Sequence, residues 1–310
     1  EVQLALEEII LESIVVEGQR ENNSGTSSSA VSALSGKKLS NLKSESLGDV
    51  LRSVTGVNTL KNGQNVVKPI IHGLHSNRVL IINNGIRHEG QEWGQDHAPE
   101  IDPSIANRLS VVKGASAVQY GPNALGGVII IEPPRLELNS HLHGEIALKG
   151  ESNGRAMDGT MLLQQGYENI AFLVQASGRN QGDLSAPNYV LSNTGMKEYS
   201  VALGMRFHHK HIDIQTYYSQ LNQKLGILRG SVVGNLTDLG QAIDAPIPEN
   251  TSSFGYTINN PNQQVNHQML KIGGDYNMHD SQLQFQYGLQ KNLRKEFDVR
   301  RGSNNDIPSI

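Results

Sequence analysis

KGASAVQYGPNALGGVIIIEP, residues 113–133, is the stretch that decides how the rest of the chain is read. Gly114, Gly121, Gly126 and Gly127 punctuate small residues and one tyrosine, Tyr120, and a β-branched run from Val128 to Ile131 follows. Glycine allows sharp turns and close backbone approach to a neighbouring wall, so these glycines read as shaping residues, with Tyr120 packed beneath the turn. GPNALGGV has the glycine spacing of a phosphate-binding loop. Gly127 and Val128 stand where Lys and Ser/Thr are required, so nucleotide binding is not indicated.

Upstream, DPSIANRLSVVKG (102–114) reads as a short helix opened by Asp102-Pro103, then a strand. VVKPIIHGL (66–74) and NRVLIINNGI (77–86) read as short strands, the second closing on an Asn84-Gly85 turn. SESLGDVLRSVTGV (44–57) offers Ser44 or Ser46 as an N-cap, Leu47, Val50, Leu51 and Val54 at helical spacing, and Gly56 as a stop. Residues 37–137 thus read as an α+β domain. Before it, 21–36 (ENNSGTSSSAVSALSG) has the composition of a flexible linker, and 1–17 reads as extended.

From about residue 141 the pattern changes. Segments of about ten residues follow one another: HGEIALKGES, GTMLLQQGYE, IAFLVQASGR, EYSVALGMRF, HIDIQTYYSQ, HQMLKIGGDY and SQLQFQYGLQ. Ile212, Ile214, Thr216 and Tyr218 alternate with Asp213, Gln215 and Tyr217; Leu283, Phe285, Tyr287 and Leu289 alternate with Gln282, Gln284, Gln286 and Gly288. Short turns separate some segments, and long polar stretches, 181–197 and 223–264, separate others. That is the pattern of a transmembrane β-barrel, and a soluble β-sandwich alternates equally well.

Composition narrows the classes. The 310 residues carry a net charge of −4, which does not indicate a nucleic-acid partner. There is no cysteine, so disulfides, thiolate metal sites and cysteine nucleophiles are excluded. No apolar run reaches the length of a transmembrane helix, a test to which barrel strands are invisible. No basic, apolar, small-residue leader opens EVQLALEEIILES.

Three stretches choose between barrel and sandwich. Residues 113–133 resemble the closing signature of the plug domain of TonB-dependent outer-membrane receptors. LGDVLRSVTGVNTL (47–60) resembles the family's helix ending in a P-G-V step, with Thr55 in the proline position. IIHGLHSNRVLIINNGIR (70–87) resembles its R-G-L…R-V-L-x-L-x-D-G-I-R segment, with His72 for arginine and Asn84 for aspartate. The resemblance covers about residues 12–135. It implies a plug (37–137, with Gly56, Gly73, Gly85, Gly114, Tyr120, Gly121, Gly126 and Gly127 as its structural residues) and the N-terminal part of a 22-stranded barrel (138–310). It also implies a TonB box before the linker. ESIVVEG supplies it, as Glu12, Ser13, Ile14, Val15, Val16 and Glu17, an extended segment that TonB would capture by strand addition. Residues 1–11 resemble the last strand of a small β-domain that often precedes the box in Bacteroidota receptors. Plugged barrels need many strands, and the chain after the plug holds room for about seven or eight, so an incomplete barrel is expected.

In one segment, HEGQEWGQDHAPEID, 88–102, seven of the fifteen side chains can bind a proton or a metal. HEGQE begins like HExxH, but Glu92 stands in place of the second histidine. No nucleophile has a positioned base, so no enzymatic activity is expected. Two readings stay open. In one, His88, Glu92, Asp96 and His97 bind metal, and His88, Glu89, Glu92, Trp93, Asp96 and His97 face incoming substrate. In the other, Asp102 caps a helix at Pro103, Glu100 favours its N-terminus, Glu92 and Asp96 pair with wall arginines and Trp93 packs. His72, His75, His208, His209 and His211 read as surface or turn residues.

The resemblance implies active import of a scarce nutrient (metal ion, metal chelate or siderophore, or haem) across the Gram-negative outer membrane, with the plug inside the barrel and the N-terminus periplasmic. The partners it implies are TonB with its inner-membrane energising complex, outer-membrane lipid and an extracellular small molecule. No resident cofactor is required, and any metal would be cargo. The alternatives are a glycan importer, which would want more aromatic platforms than one tryptophan offers, and a non-transporting β-rich adhesion protein, which has no use for a plug signature.

Overall fold

The computed structural model describes residues 30–63, 65–90, 97–231, 236–248, 250–298 and 308–309. The TonB-box residues 12–17, the strand expected at 1–11, and Glu92, Trp93 and Asp96 lie outside them.

The N-terminal body is built on a five-stranded sheet. Its elements in chain order are β1 (Ala30–Ser35), α1 (Gly36–Ser40), α2 (Leu47–Arg52), the hairpin β2 (Val57–Asn62) and β3 (Val66–Ile71), then β4 (Val79–Asn83), β5 (Ile86–Arg87), β6 (Arg108–Lys113) and β7 (Gly127–Glu132). The sheet order is β1-β6-β7-β4-β5, with β4 and β7 parallel. Central β7 is covered on both faces, which is why it reads as an unbroken apolar run. Ile129 and Ile131 join Val50 and Leu51 of α2, Leu109 and Val111 in one core. On the other face Val128 joins Leu80, Val112 and Ala117 in a second, against which Tyr120 packs. Ser46 caps α2, its hydroxyl accepting from the Asp49 amide. Asn84 and Gly85, both at positive φ, turn β4 into β5. Gly127 has φ +150°, and a Cβ there would lie 2.8 Å from the Val112 carbonyl oxygen, so the turn into β7 closes only on glycine.

The linker expected over 21–36 is corrected at its C-terminal end: Ala30–Ser35 form β1, paired antiparallel along β6. Small polar residues masked it, because an edge strand can be held by ladder hydrogen bonds with few large side chains to betray it.

All seven alternating segments are strands: β8 (His143–Glu151), β9 (Ala156–Gly166), β10 (Ile170–Gln181), β13 (Met196–His209), β14 (Ile212–Gly226), β15 (Asn262–Asn277) and β16 (Gln282–Phe297). A small hairpin, β11 (Leu184–Ser185) with β12 (Val190–Leu191), lies between β10 and β13; α3 (Leu236–Asp244) lies between β14 and β15; β17 (Pro308–Ser309) pairs with β16. The sheet runs β17-β16-β15-β14-β13-β10-β9-β8 with antiparallel neighbours throughout. Residues 167–169, 210–211 and 278–281 make short turns at one end, and 182–195 and 227–261 make long connections at the other. Burial follows the period of two: Asp213, Tyr217, Leu221 and Leu225 are buried on the face toward the plug, while Leu283, Phe285, Tyr287 and Leu289 are 53–61% exposed on the other face.

Candidate functional site: the seam between plug and wall

The plug hairpin at Asn84–Arg87 runs beside β15 and β16 and then climbs β16. The Lys271 ammonium donates to the Asn84 carbonyl at 2.7 Å. The Gln286 amide donates to the Gly85 carbonyl at 2.9 Å, and Gln290 donates to the Arg87 carbonyl at 2.6 Å. The Glu89 backbone N–H returns a bond to the Gln290 side-chain oxygen at 3.3 Å. β5 is the outer edge of the plug sheet, so these side chains satisfy groups that a further strand would otherwise take.

Higher on β16, Glu100 of the plug, its side chain 2% exposed, accepts from Asn292 and Arg294. His97 Nε2 meets Glu296 Oε1 at 2.7 Å. The His88 ring lies 4.4 Å from that of His267 on β15, tilted 42°, and neither His88 nitrogen has a hydrogen-bond partner among the described residues. Burial, with His267 adding to it, holds His88 well below the ordinary histidine range. His97 is lowered too, by burial first and then by Arg294, against its bond to Glu296. Burial raises Glu100, with Arg294 and Asn292 pulling the other way.

Asp102 is the hub of the seam. One carboxylate oxygen accepts from the Ser104 amide at 2.8 Å and caps the turn Pro103–Ile105. The other accepts from Ser104 Oγ, from Gln175 at 3.0 Å and Ser177 at 2.6 Å on β10, and from Ser200 on β13. Next to it Ile105 inserts among Leu173, Ala202, Tyr217 and Met269, with Ile86 of the plug packed against the same cluster. On the far side Lys43 pairs with Glu145 at 2.9 Å, Glu45 with Lys149 at 2.6 Å, and Arg179 donates to the Ser44 carbonyl. A cavity of about 190 Å³ separates plug from wall there, lined by Glu45, Asp102, Asp158, Arg179, Glu198 and Gln223 among others.

The expectation that His88 faces incoming substrate is corrected: it is 2% exposed and turned to the wall. His97 is also turned to the wall, by Glu296. These two metal candidates take separate partners, and no three His, Asp or Glu converge to hold a metal among the described residues. Glu89 stays half exposed and pairs with Arg87 of the plug itself at 2.8 Å. The Asp102 cap stands as read from the sequence. Glu100 meets a wall arginine, Arg294, while Glu92 and Asp96 lie outside the described residues; the β16 residues that receive the plug were not singled out. Their signal was the polar half of an alternation, Gln286 to Glu296, continuing past the apolar half.

The fold has counterparts among known proteins. The family profile of the TonB-dependent Receptor Plug Domain matches residues 24–128. A hemin receptor of Yersinia pestis is 32% identical over 106 residues, 33% of this chain and 15% of that protein. The vitamin B12 transporter BtuB of Vibrio cholerae is 30% identical over 123 residues, 39% of this chain and 20% of that one. A variant of the ferric enterobactin receptor PfeA from Pseudomonas aeruginosa, solved with enterobactin, overlays 88% of this chain and 42% of its own with a TM-score of 0.61 at 14% identity. The copper transporter OprC overlays 92% of this chain and 49% of its own, TM-score 0.58, at 13% identity. The chain thus spans less than half the length of these solved proteins, and its matches cover a fifth or less of the two sequence relatives.

Proposed function

Since the chain belongs to the TonB-dependent outer-membrane receptors and holds their plug and part of their barrel wall, we propose that the whole protein imports a scarce nutrient across the outer membrane. The cargo class is a metal chelate, a metal ion or haem. The observation that carries this reading is the seam. The plug packs against one face of the wall and is held among the described residues by hydrogen bonds and ion pairs that water can replace, with apolar contacts at Ile105 and Ile86. A stopper held that way can be loosened without unfolding its apolar cores. Energy would come from TonB, drawing on Glu12–Glu17, and the stretch after them, linker-like in composition, would transmit the pull. The choice of cargo is supported by relatives described as hemin receptors, a vitamin B12 transporter, siderophore receptors and a copper transporter.

The test is uptake of labelled ferric chelate, haem and cobalamin by cells carrying the full-length protein, with and without residues 12–18. Deletion should abolish uptake and leave surface binding intact. Unchanged uptake would remove the TonB box from this segment.

A further inference from the structure

The segment that leads from plug to wall ends in a histidine pair that the seam does not use. Residues 133–142 join β7 to β8, and the last of them are pinned to the turn between β9 and β10. The Asn139 amide donates to the Tyr167 carbonyl at 2.9 Å. The Ser140 carbonyl accepts from the Gly166 amide at 3.1 Å and from the Gln165 side chain at 2.9 Å. His141 follows directly, and His143 opens β8 opposite Gln164 of β9. Alternation puts His143 on the face of Glu145 and Lys149, whose side chains meet Lys43 and Glu45 of the plug. His143 is therefore on the lumen side, and the His141 ring centroid lies 5.6 Å from its own. Both histidines are exposed, at the short-turn end of the wall, which in such barrels is periplasmic.

His143 Nδ1 lies 2.9 Å from the His141 carbonyl, which can only accept, so this nitrogen carries its proton. In the neutral ring the lone pair is then on Nε2. Gln164 Oε1 lies 2.9 Å from that nitrogen. The Gln164 amide nitrogen donates to the Arg135 carbonyl at 3.4 Å, which aims the amide oxygen at the ring. An acceptor thus faces an acceptor, and the contact closes around a cation, either a proton or a metal ion. The spacings suit a metal ion. Two donors at right angles, each about 2.0–2.1 Å from one ion, are about 2.9 Å apart. An ion at that distance from a ring nitrogen lies about 3.2 Å from the ring centroid, so rings 5.6 Å apart can share one. The Nδ1–H bond to a backbone carbonyl is the outer contact that fixes the tautomer of a metal-binding imidazole. The His141 ring nitrogens have no hydrogen-bond or ion-pair partner among the described residues.

We propose that His141, His143 and Gln164 form a site for a borderline divalent transition ion: Cu2+, Ni2+ or Zn2+. Two imidazoles and an amide oxygen in neighbouring positions suit tetragonal Cu2+ and Ni2+ best, and they offer Mg2+ and Ca2+ too few oxygens. The site stands at the periplasmic mouth of the lumen, where an ion released past the plug would arrive. That place on an exit path rests on the import reading; the binding does not.

The test is calorimetric titration of full-length receptor in detergent, cleared of metal with a chelator, with Cu2+, Ni2+, Zn2+ and Mg2+ in turn, beside the electron paramagnetic resonance spectrum of the Cu2+ form. The parent should bind Cu2+ with micromolar affinity or tighter, show nitrogen couplings from two imidazoles, and ignore Mg2+. The chain has 11 histidines, so the readout is the difference between parent and variant. His141→Ala with His143→Gln should remove one equivalent of Cu2+ together with the two-imidazole signal. Gln164→Glu, which puts a charged oxygen where a neutral one stood, should tighten binding roughly tenfold or more. Leu142→Ala, on the opposite face, should change nothing. Acid should release the ion, because a proton competes for the same Nε2. An unchanged equivalent in the double variant, or equal binding of Mg2+, would overturn the proposal. So would a parent that binds none of the three ions above neutral pH, because the cation in the contact would then be a proton. Nutrient uptake plays no part in this assay, so the site and the import reading fail independently.

Discussion

Glu100 of the plug and Arg294 of β16 form an ion pair across the seam, with side-chain exposures of 2% and 14%. Neither carries it alone: Asn292 also donates to Glu100, and His267 Nδ1 lies 4.0 Å from it. Removing one partner strands the other. Arg294→Met should weaken plug seating by about 3–5 kcal/mol, and Glu100→Gln with Arg294→Met should recover most of that loss. The measurement is the denaturant midpoint for plug release, followed by protease susceptibility of the plug. Equal midpoints for the single and double variants would contradict the pairing.

His88 makes seating pH-dependent. Burial and His267 hold it well below its ordinary value of 6.5. The unseated imidazole therefore binds a proton first as pH falls, and seating is lost progressively below 6.5, by up to about 1.4 kcal/mol per pH unit while the buried ring stays neutral. His97, also lowered, acts in the same direction. Glu100 acts in the opposite direction: raised by burial, it binds its proton first in the seated state, so its contribution grows as pH falls toward 4.5. Midpoints between pH 8 and 5 should fall with acidity in the parent, and His88→Phe should flatten most of the slope.

Gln290 both donates to Arg87 and accepts from Glu89. Gln290→Leu leaves two backbone groups of the plug edge without their side-chain partner, a loss of about 1–3 kcal/mol where the group stays buried. Hydrogen exchange at the Glu89 amide should quicken, with exchange at Ile129 unchanged. Quickening at both positions would mean that the whole plug, rather than its edge, had loosened.

Gly127→Ala tests the signature turn itself. Its φ of +150° and the 2.8 Å approach to the Val112 oxygen leave no room for a methyl. Strain of about 1–3 kcal/mol, plus the clash, should lower the plug's unfolding midpoint, whereas Gly114→Ala, where a Cβ meets nothing within 4 Å, should cost less.

The sequence revealed those elements whose cause is local. α2 was readable from Ser46 and the spacing of Leu47, Val50 and Leu51, the β4–β5 turn from Asn84-Gly85, and the wall strands from alternation. β1 was not, because its stabilisation comes from β6, nearly eighty residues away in the chain. The seam was half readable. Asp102 could be assigned its cap from Asp-Pro alone, but nothing local says that the same carboxylate also takes Gln175, Ser177 and Ser200. His88 was misread for the same reason. Among so many potential ligands it reads as facing substrate, and only the passage of β15 behind it makes it a core histidine.

The bonds between the hairpin and β16 are strung in order along one line, from Gly85 on Gln286 to Arg87 on Gln290, and farther up from Glu100 on Arg294 to His97 on Glu296. Attachments in series peel, whereas attachments side by side must shear together. A tug delivered at one end of such a line meets one bond at a time, so the peak force stays small even when the total work is large. That line can thus yield to a weak, sustained pull at one end, while the bonds of Asp102, Lys43 and Glu45 to β10, β13 and β8 lie apart from it.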